Sequence, residues 1–175
     1  MNKQTFVISS PFDCYSGYSS HSRDVIKAII NLDKWDVKLV SMRWGSTPFG
    51  FVDDHTEEWG YLKDHIIPLP LTEQPDIWMQ ITVPNEFQKV GKYSIGMTAG
   101  IETTLCAPEW LQGINRMDLT LVSSKHAKNT FMNTKYDMKD EKTGAKQGVL
   151  KVDKPVEILF EGVDLTTYYP LTWET

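Results

Sequence analysis

The sequence is short of the residues that most often announce a chemistry. It has two cysteines, Cys14 and Cys106, and four histidines in 175 residues. Two thiols so far apart cannot form a disulfide framework, and no His-x-His or His-x-x-x-His spacing offers paired ligands, so neither a metal site nor an oxidising compartment is expected. Apolar runs of eighteen or more residues are missing too, which excludes a membrane-spanning helix by sequence. Met-Asn-Lys-Gln-Thr-Phe-Val7 passes straight into a strand-like segment without a charged lead and cleavage site, so an unsecreted, cytoplasmic protein is expected. Basic residues are in deficit, 18 Lys and Arg against 23 Asp and Glu, for a net charge of −5. That balance argues against a nucleic-acid partner, which needs cations concentrated on one face. The three spaced glycines of a dinucleotide-binding turn are lacking, and the acidic residue expected about twenty positions later has only Asp33 and Asp36 as weak candidates.

What is present is alternation of strand and helix. Phe6-Val7-Ile8 reads as a short strand, and Ser19 to Ser22 offer caps for a helix whose Val25, Ile26, Ile29 and Ile30 fall on one face. Asp36 to Val40 gives a second strand, so the first forty or so residues form a right-handed, parallel β-α-β unit. Residues 43–75 are poorly patterned, with a short helix around Glu57 to His65. Strands follow at Asp76–Val83 and Lys92–Thr98. Pro108 opens a helix bearing Trp110, Leu111, Ile114 and Met117, because its missing N–H costs nothing in a first turn. Asp118–Val122 is a strand, Ser123 and Ser124 cap the next helix, and Lys139 to Lys154 reads as an exposed hairpin or loop. Val156 to Phe160 is the last strand. The expected fold is one α/β domain over residues 1–170, a Rossmann-like, open, mostly parallel sheet with helices on both faces, with 171–175 as a linker or tail.

In such sheets ligands bind beyond the carboxyl ends of the strands. That rule selects Ser10–Ser20, Thr82–Asn85, Thr98–Thr104, Ser123–Lys125 and Glu161–Asp164. Gly17, within Ser16-Gly-Tyr-Ser-Ser-His21, offers close backbone approach or a positive φ, and helix-start N–H groups there suit an anion; a tight strand-to-helix turn uses the same residues for backbone reasons alone. Glu102 could accept a proton from an acceptor hydroxyl, or simply cap backbone N–H groups. His21 could meet phosphate or acceptor, whereas His126 reads as a surface residue. Trp44, Phe49 and Phe51 suit either an acceptor platform or the core.

Two stretches carry a family resemblance. Ile95-Gly-Met-Thr-Ala-Gly-Ile-Glu-Thr-Thr-Leu-Cys-Ala-Pro-Glu-Trp110, continuing to Ser124, and Val156-Glu-Ile-Leu-Phe-Glu-Gly-Val-Asp164 with Tyr168-Tyr-Pro170, resemble the N-terminal, acceptor-side domain of GT-B fold glycosyltransferases of family four (group 1). The resemblance implies transfer of a sugar from a nucleotide-sugar donor, used as substrate with no cofactor or obligatory metal. It implies an acceptor and donor-phosphate site at Gly17, Tyr18, Ser19, His21, Thr98, Thr103, Ser123, Lys125, Glu161 and Gly162, with Glu102 as the catalytic candidate. It further implies a second Rossmann-like domain, or another protein chain, against the hinge after Phe160. Because the donor apparatus of that second domain is not identifiable here, catalysis by these residues alone is expected to be incomplete. The alternative is a non-catalytic binding or structural module derived from such a half.

Overall fold

A computed structural model describes residues 3–140 and 143–170. The last of the expected segments, 171–175, therefore lies outside the described residues. Six strands, β1 (Thr5–Ser10), β2 (Asp36–Ser41), β3 (Ile77–Ile81), β4 (Tyr93–Thr98), β5 (Leu119–Val122) and β8 (Val156–Ile158), form one sheet in the order β2-β1-β3-β4-β5-β8. Every pairing is parallel. The remaining two, β6 (Tyr136–Lys139) and β7 (Lys146–Leu150), make an antiparallel hairpin where an exposed hairpin or loop is expected. The helices are α1 (Gly17–Asn31), the one-turn α2 (Phe51–Asp54) and α3 (Thr56–Trp59), α4 (Pro108–Arg116) and α5 (Lys125–Asn133).

Alternation along the strands feeds two cores, one on each face of the sheet. Phe6, Ile8, Leu39, Met79 and Ile81 pack with Ile26 of α1, Val52 of α2 and Trp59 of α3. Val7, Val40, Trp78 and Val122 pack with Leu111 and Ile114 of α4 and Ala127 and Phe131 of α5. Helices therefore cover both faces, and the middle of each of the central strands β1 and β3 is apolar on both sides, as parallel strands buried on two faces require. The chain runs from β1 outward to β2, then back across β1 to β3 and onward to β8. Strand order reverses between β1 and β3, the position where open α/β sheets leave a crevice at their carboxyl ends.

The caps are local. Ser16, in extended conformation, accepts the Ser19 N–H on its Oγ at 3.1 Å, so the cap of α1 sits three residues before the first expected one, Ser19. Ser124 does the same for the Ala127 N–H at 3.1 Å, and Pro108 occupies the first turn of α4.

The amino ends of the strands are clamped by two carboxylates. Asp76 accepts the Thr5 N–H at 3.0 Å and pairs with Lys92 at 2.7 Å, tying β1 to the start of β4. Asp118 accepts the Ser94 N–H at 2.8 Å and pairs with Lys89 at 2.6 Å, tying β4 to β5. The hydrogen bond from the lysine, more than any other contact, holds each carboxyl below the usual aspartate range. A depressed carboxylate adds stability above the unfolded-state value of about 3.9 and loses it as pH falls through the lower folded value. Urea unfolding should therefore show the midpoint falling as pH drops below about 4. Asp76→Asn with Asp118→Asn should lower the midpoint at pH 7 and flatten that acid limb; an unchanged limb in the double variant would locate the acid sensitivity elsewhere.

Candidate functional site

A cleft of about 860 Å3 lies at the carboxyl edge of the sheet, within the size range of small-molecule sites. One wall is α1, the floor includes Ala99 after β4, and the other wall is the segment 159–168, a strap that leaves β8. Gly17, His21, Asp24 and Ala28 line the helix wall. They stand at intervals of four, three and four, which puts them on a single face.

Tyr18 anchors this wall to the sheet. Its hydroxyl lies 3.0 Å from Thr98 Oγ1 and accepts the Ala99 N–H at 3.2 Å. Its ring is stacked on Trp44, with centroids 4.2 Å apart and planes at 25°. Thr98 is buried, and its Oγ1 also accepts the Gly100 N–H at 3.4 Å. Ser123 Oγ donates to Ala99 O at 3.0 Å, extending the network to the end of β5. Gly100 turns the loop with φ +95°, and an added Cβ would lie 2.4 Å from Ala127 Cβ, so the loop can approach α5 only with glycine here.

Across the cleft, His21 Nδ1 and Glu161 Oε1 are 3.7 Å apart. Asp164 accepts hydrogen bonds from Thr166 N and Oγ1 at 2.9 and 2.7 Å and from Thr167 Oγ1 at 3.2 Å. Those bonds, the Thr166 hydroxyl first, hold its carboxyl below the usual range.

Of the residues expected from sequence, the cleft gathers Gly17, Tyr18, His21, Glu161 and Gly162. Thr98 and Ser123 stand behind Tyr18 and Ala99 as polar support. Ser19 is fully buried, its Oγ 2.6 Å from Ser16 Oγ, so its hydroxyl serves the cap and not a ligand. Gly17 is the first residue of α1, is not among the positive-φ glycines, and has open space where a Cβ would stand. The backbone does not require glycine there. Glu102, Thr103 and Lys125 do not line the cleft. The carbonyls of Glu102 and Thr103 lie 3.1 and 3.2 Å from His126 Nε2, and Thr130 Oγ1 donates to Thr103 O at 3.1 Å, so this loop is pinned to α5. His126 is exposed, as expected, and its ring partners these carbonyls. Asp24 and Ala28, not singled out by sequence, continue the helix face begun by Gly17 and His21, and that four-three-four spacing is the signal that marks them.

Neither cysteine offers a reactive thiol. Burial pushes the Cys106 thiol up, and Cys14 is enclosed with its Sγ 3.6 Å from Met42 O. Among the described residues no three His, Cys, Asp or Glu side chains group as metal ligands, and no helix is long and apolar enough to cross a membrane. The chain defines an α/β protein with a carboxyl-edge cleft. No known protein family, curated protein or solved structure matches it.

Proposed function

We propose that the chain is the acceptor-side domain of a glycosyltransferase that draws its sugar from a nucleotide-activated donor. One observation supports the reading: α1, the end of β4 and the strap after β8 enclose a cleft at the carboxyl edge, to which the second resembling segment contributes the strap and the first contributes Ala99. Its apolar wall residues Val25, Leu159, Phe160 and Tyr168 suit the carbon face of a sugar, while Ser20, Thr167 and the backbone suit its hydroxyls. Donor diphosphate needs paired cations or several free N–H groups, and no Lys or Arg among the described residues lines the cleft. Calorimetry should accordingly give UDP- and GDP-sugars dissociation constants no better than about millimolar, too weak to offset the entropy of association with the few donors available. Neutral saccharides should give saturation-transfer NMR signals that Tyr18→Ala removes. Micromolar nucleotide-sugar affinity would overturn the assignment of the acceptor side.

The non-catalytic module has one observation in its favour. Phe160, Val163, Leu165, Tyr168 and Tyr169 are between 63% and 72% exposed, an apolar run of the kind that marks contact with another protein. Saccharide-independent self-association, with no saccharide signal, favours that reading over the enzyme.

A further inference from the structure

The charges around the cleft are one-sided. Asp24 contributes from α1 and Glu161 and Asp164 from the strap, against His21 as the single basic side chain among the described lining residues. The nearest cations of α1 point elsewhere. Arg23 donates to Phe12 O and Cys14 O and sits over the Phe51 ring, and Lys27 Nζ lies 5.4 Å from the Trp59 ring centroid.

The amino end of α1 pulls the other way, because the helix dipole presents about half a positive charge there. Part of that end is already used, since the Ser19 N–H is taken by Ser16 Oγ and the Ser20 N–H by Ser16 O at 3.0 Å. Three carboxylates outweigh what is left. Asp164 in particular stays ionised at neutral pH, because its charged form is the one that the Thr166 and Thr167 hydrogen bonds favour. An anion entering the cleft would lose hydration and meet like charge.

We infer that the cleft takes an uncharged, hydroxyl-bearing ligand with an apolar portion, a neutral glycoside, and discriminates against the phosphorylated form of the same ligand. The choice of a glycoside rests on the sugar-transfer reading above; the rejection of anions rests on the cleft's charges alone. On this inference Gly17, Glu161 and Gly162 face the acceptor, and none of them holds donor phosphate.

The test is a set of paired titrations of the full chain, followed by ligand-observed NMR. One pair is p-nitrophenyl β-glucoside and its 6-phosphate; the other, without sugar, is benzyl alcohol and benzoate. The glucoside should bind at least about tenfold more tightly than its phosphate, a difference of about 1.4 kcal/mol. Asp24→Asn with Asp164→Asn should shrink that preference to about threefold or less; Asp24→Asn alone, at an exposed helix position, should shrink it partway and serves if the double variant loses its thermal transition. Equal or tighter binding of the 6-phosphate overturns the inference and leaves the sugar-transfer reading standing. Benzyl alcohol preferred over benzoate, with no glucoside signal, overturns the sugar-transfer reading and leaves the charge rule standing. Binding of no probe overturns both.

Discussion

Gly113→Ala should destabilise the domain by about 3 kcal/mol, a fall of roughly 6–12 °C in the thermal midpoint for a chain of this size. Gly113 is buried inside α4, where glycine costs a helix about 1 kcal/mol relative to alanine, so propensity alone favours the substitution. Packing reverses the sign. A Cβ at Gly113 would stand 1.7 Å from the carbonyl oxygen of Pro84 and 2.5 Å from its carbonyl carbon, and both belong to backbone that cannot rotate aside. Pro84–Glu86 is a single 3-10 turn after β3, held by Arg116 donating to Asn85 O at 2.8 Å and to Phe87 O at 2.7 Å. Relieving the clash means lifting α4 off the sheet and opening the core around Phe87, Leu111 and Ile114. Gly17→Ala is the control: its Cβ enters open space, and its midpoint should move by less than about 2 °C. Equal midpoints for the two variants would mean that α4 has room to shift.

Arg23→Ala should cost about 3 kcal/mol and release the loop that leads into the cleft. Arg23 is 6% exposed, and its Nη1 donates to Phe12 O at 2.7 Å and to Cys14 O at 3.1 Å. Its guanidinium carbon lies 3.4 Å from the Phe51 ring centroid. Burial pushes its pKa down, against the pull of Asp24, Asp13 and Glu58, so part of the gain from these contacts is spent on desolvation and the net loss stays below the sum of its parts. Removing the side chain leaves two carbonyls without their donor, in a stretch where Phe12 and Cys14 are fully buried. Arg23→Lys should recover little, because one ammonium on a flexible stem reproduces neither the two-carbonyl geometry nor the ring stacking. Hydrogen exchange should accelerate in residues 11–16 and at Gly50 to Val52, whose N–H groups bond to Asp13. Unchanged exchange there would show that the loop is held by something other than Arg23.

These two residues also mark where the sequence was readable and where it was not. The parallel sheet and the helices α1, α4 and α5 were legible because apolar spacing and Ser or Pro caps act within a few residues of chain; residues 139–154, read as hairpin or loop, hold the second strand of a hairpin that starts earlier, at Tyr136. The short helix expected around Glu57 to His65 is met by α3 and the 3-10 turn Gly60–His65, whereas the helical turn α2 and the packing of this region were not legible. Phe51, Val52, Trp59 and Leu62 form no continuous stripe, and what fixes them is remote: Arg23 beneath Phe51, and Asp13 accepting the Val52 N–H at 2.9 Å. Within the candidate site, residues expected on strand ends reached the carboxyl edge together, since all six strands are parallel. Sequence position could not tell which of them face the cleft. Ser19 turned inward to a cap, and Glu102 and Thr103 were drawn off by His126 and Thr130, contacts made across more than twenty residues.

The strap that walls the cleft is attached to the sheet through its edge strand β8. β8 has a neighbour on one side only and is bound to β5 through three residue pairs, with the Lys128–Glu157 ion pair at 2.9 Å beside them. Moving it outward breaks that short seam and uncovers Val156, which is buried with Ala127 and Phe131 of α5, while the ladders among the other five strands stay whole. Amide hydrogen exchange in the strap should accordingly run through local opening of this margin, at a lower free energy than in the other five strands. On the proposed function, Glu157, which pairs with Lys128 outside the cleft lining, should change how fast a saccharide leaves more than how tightly it is held.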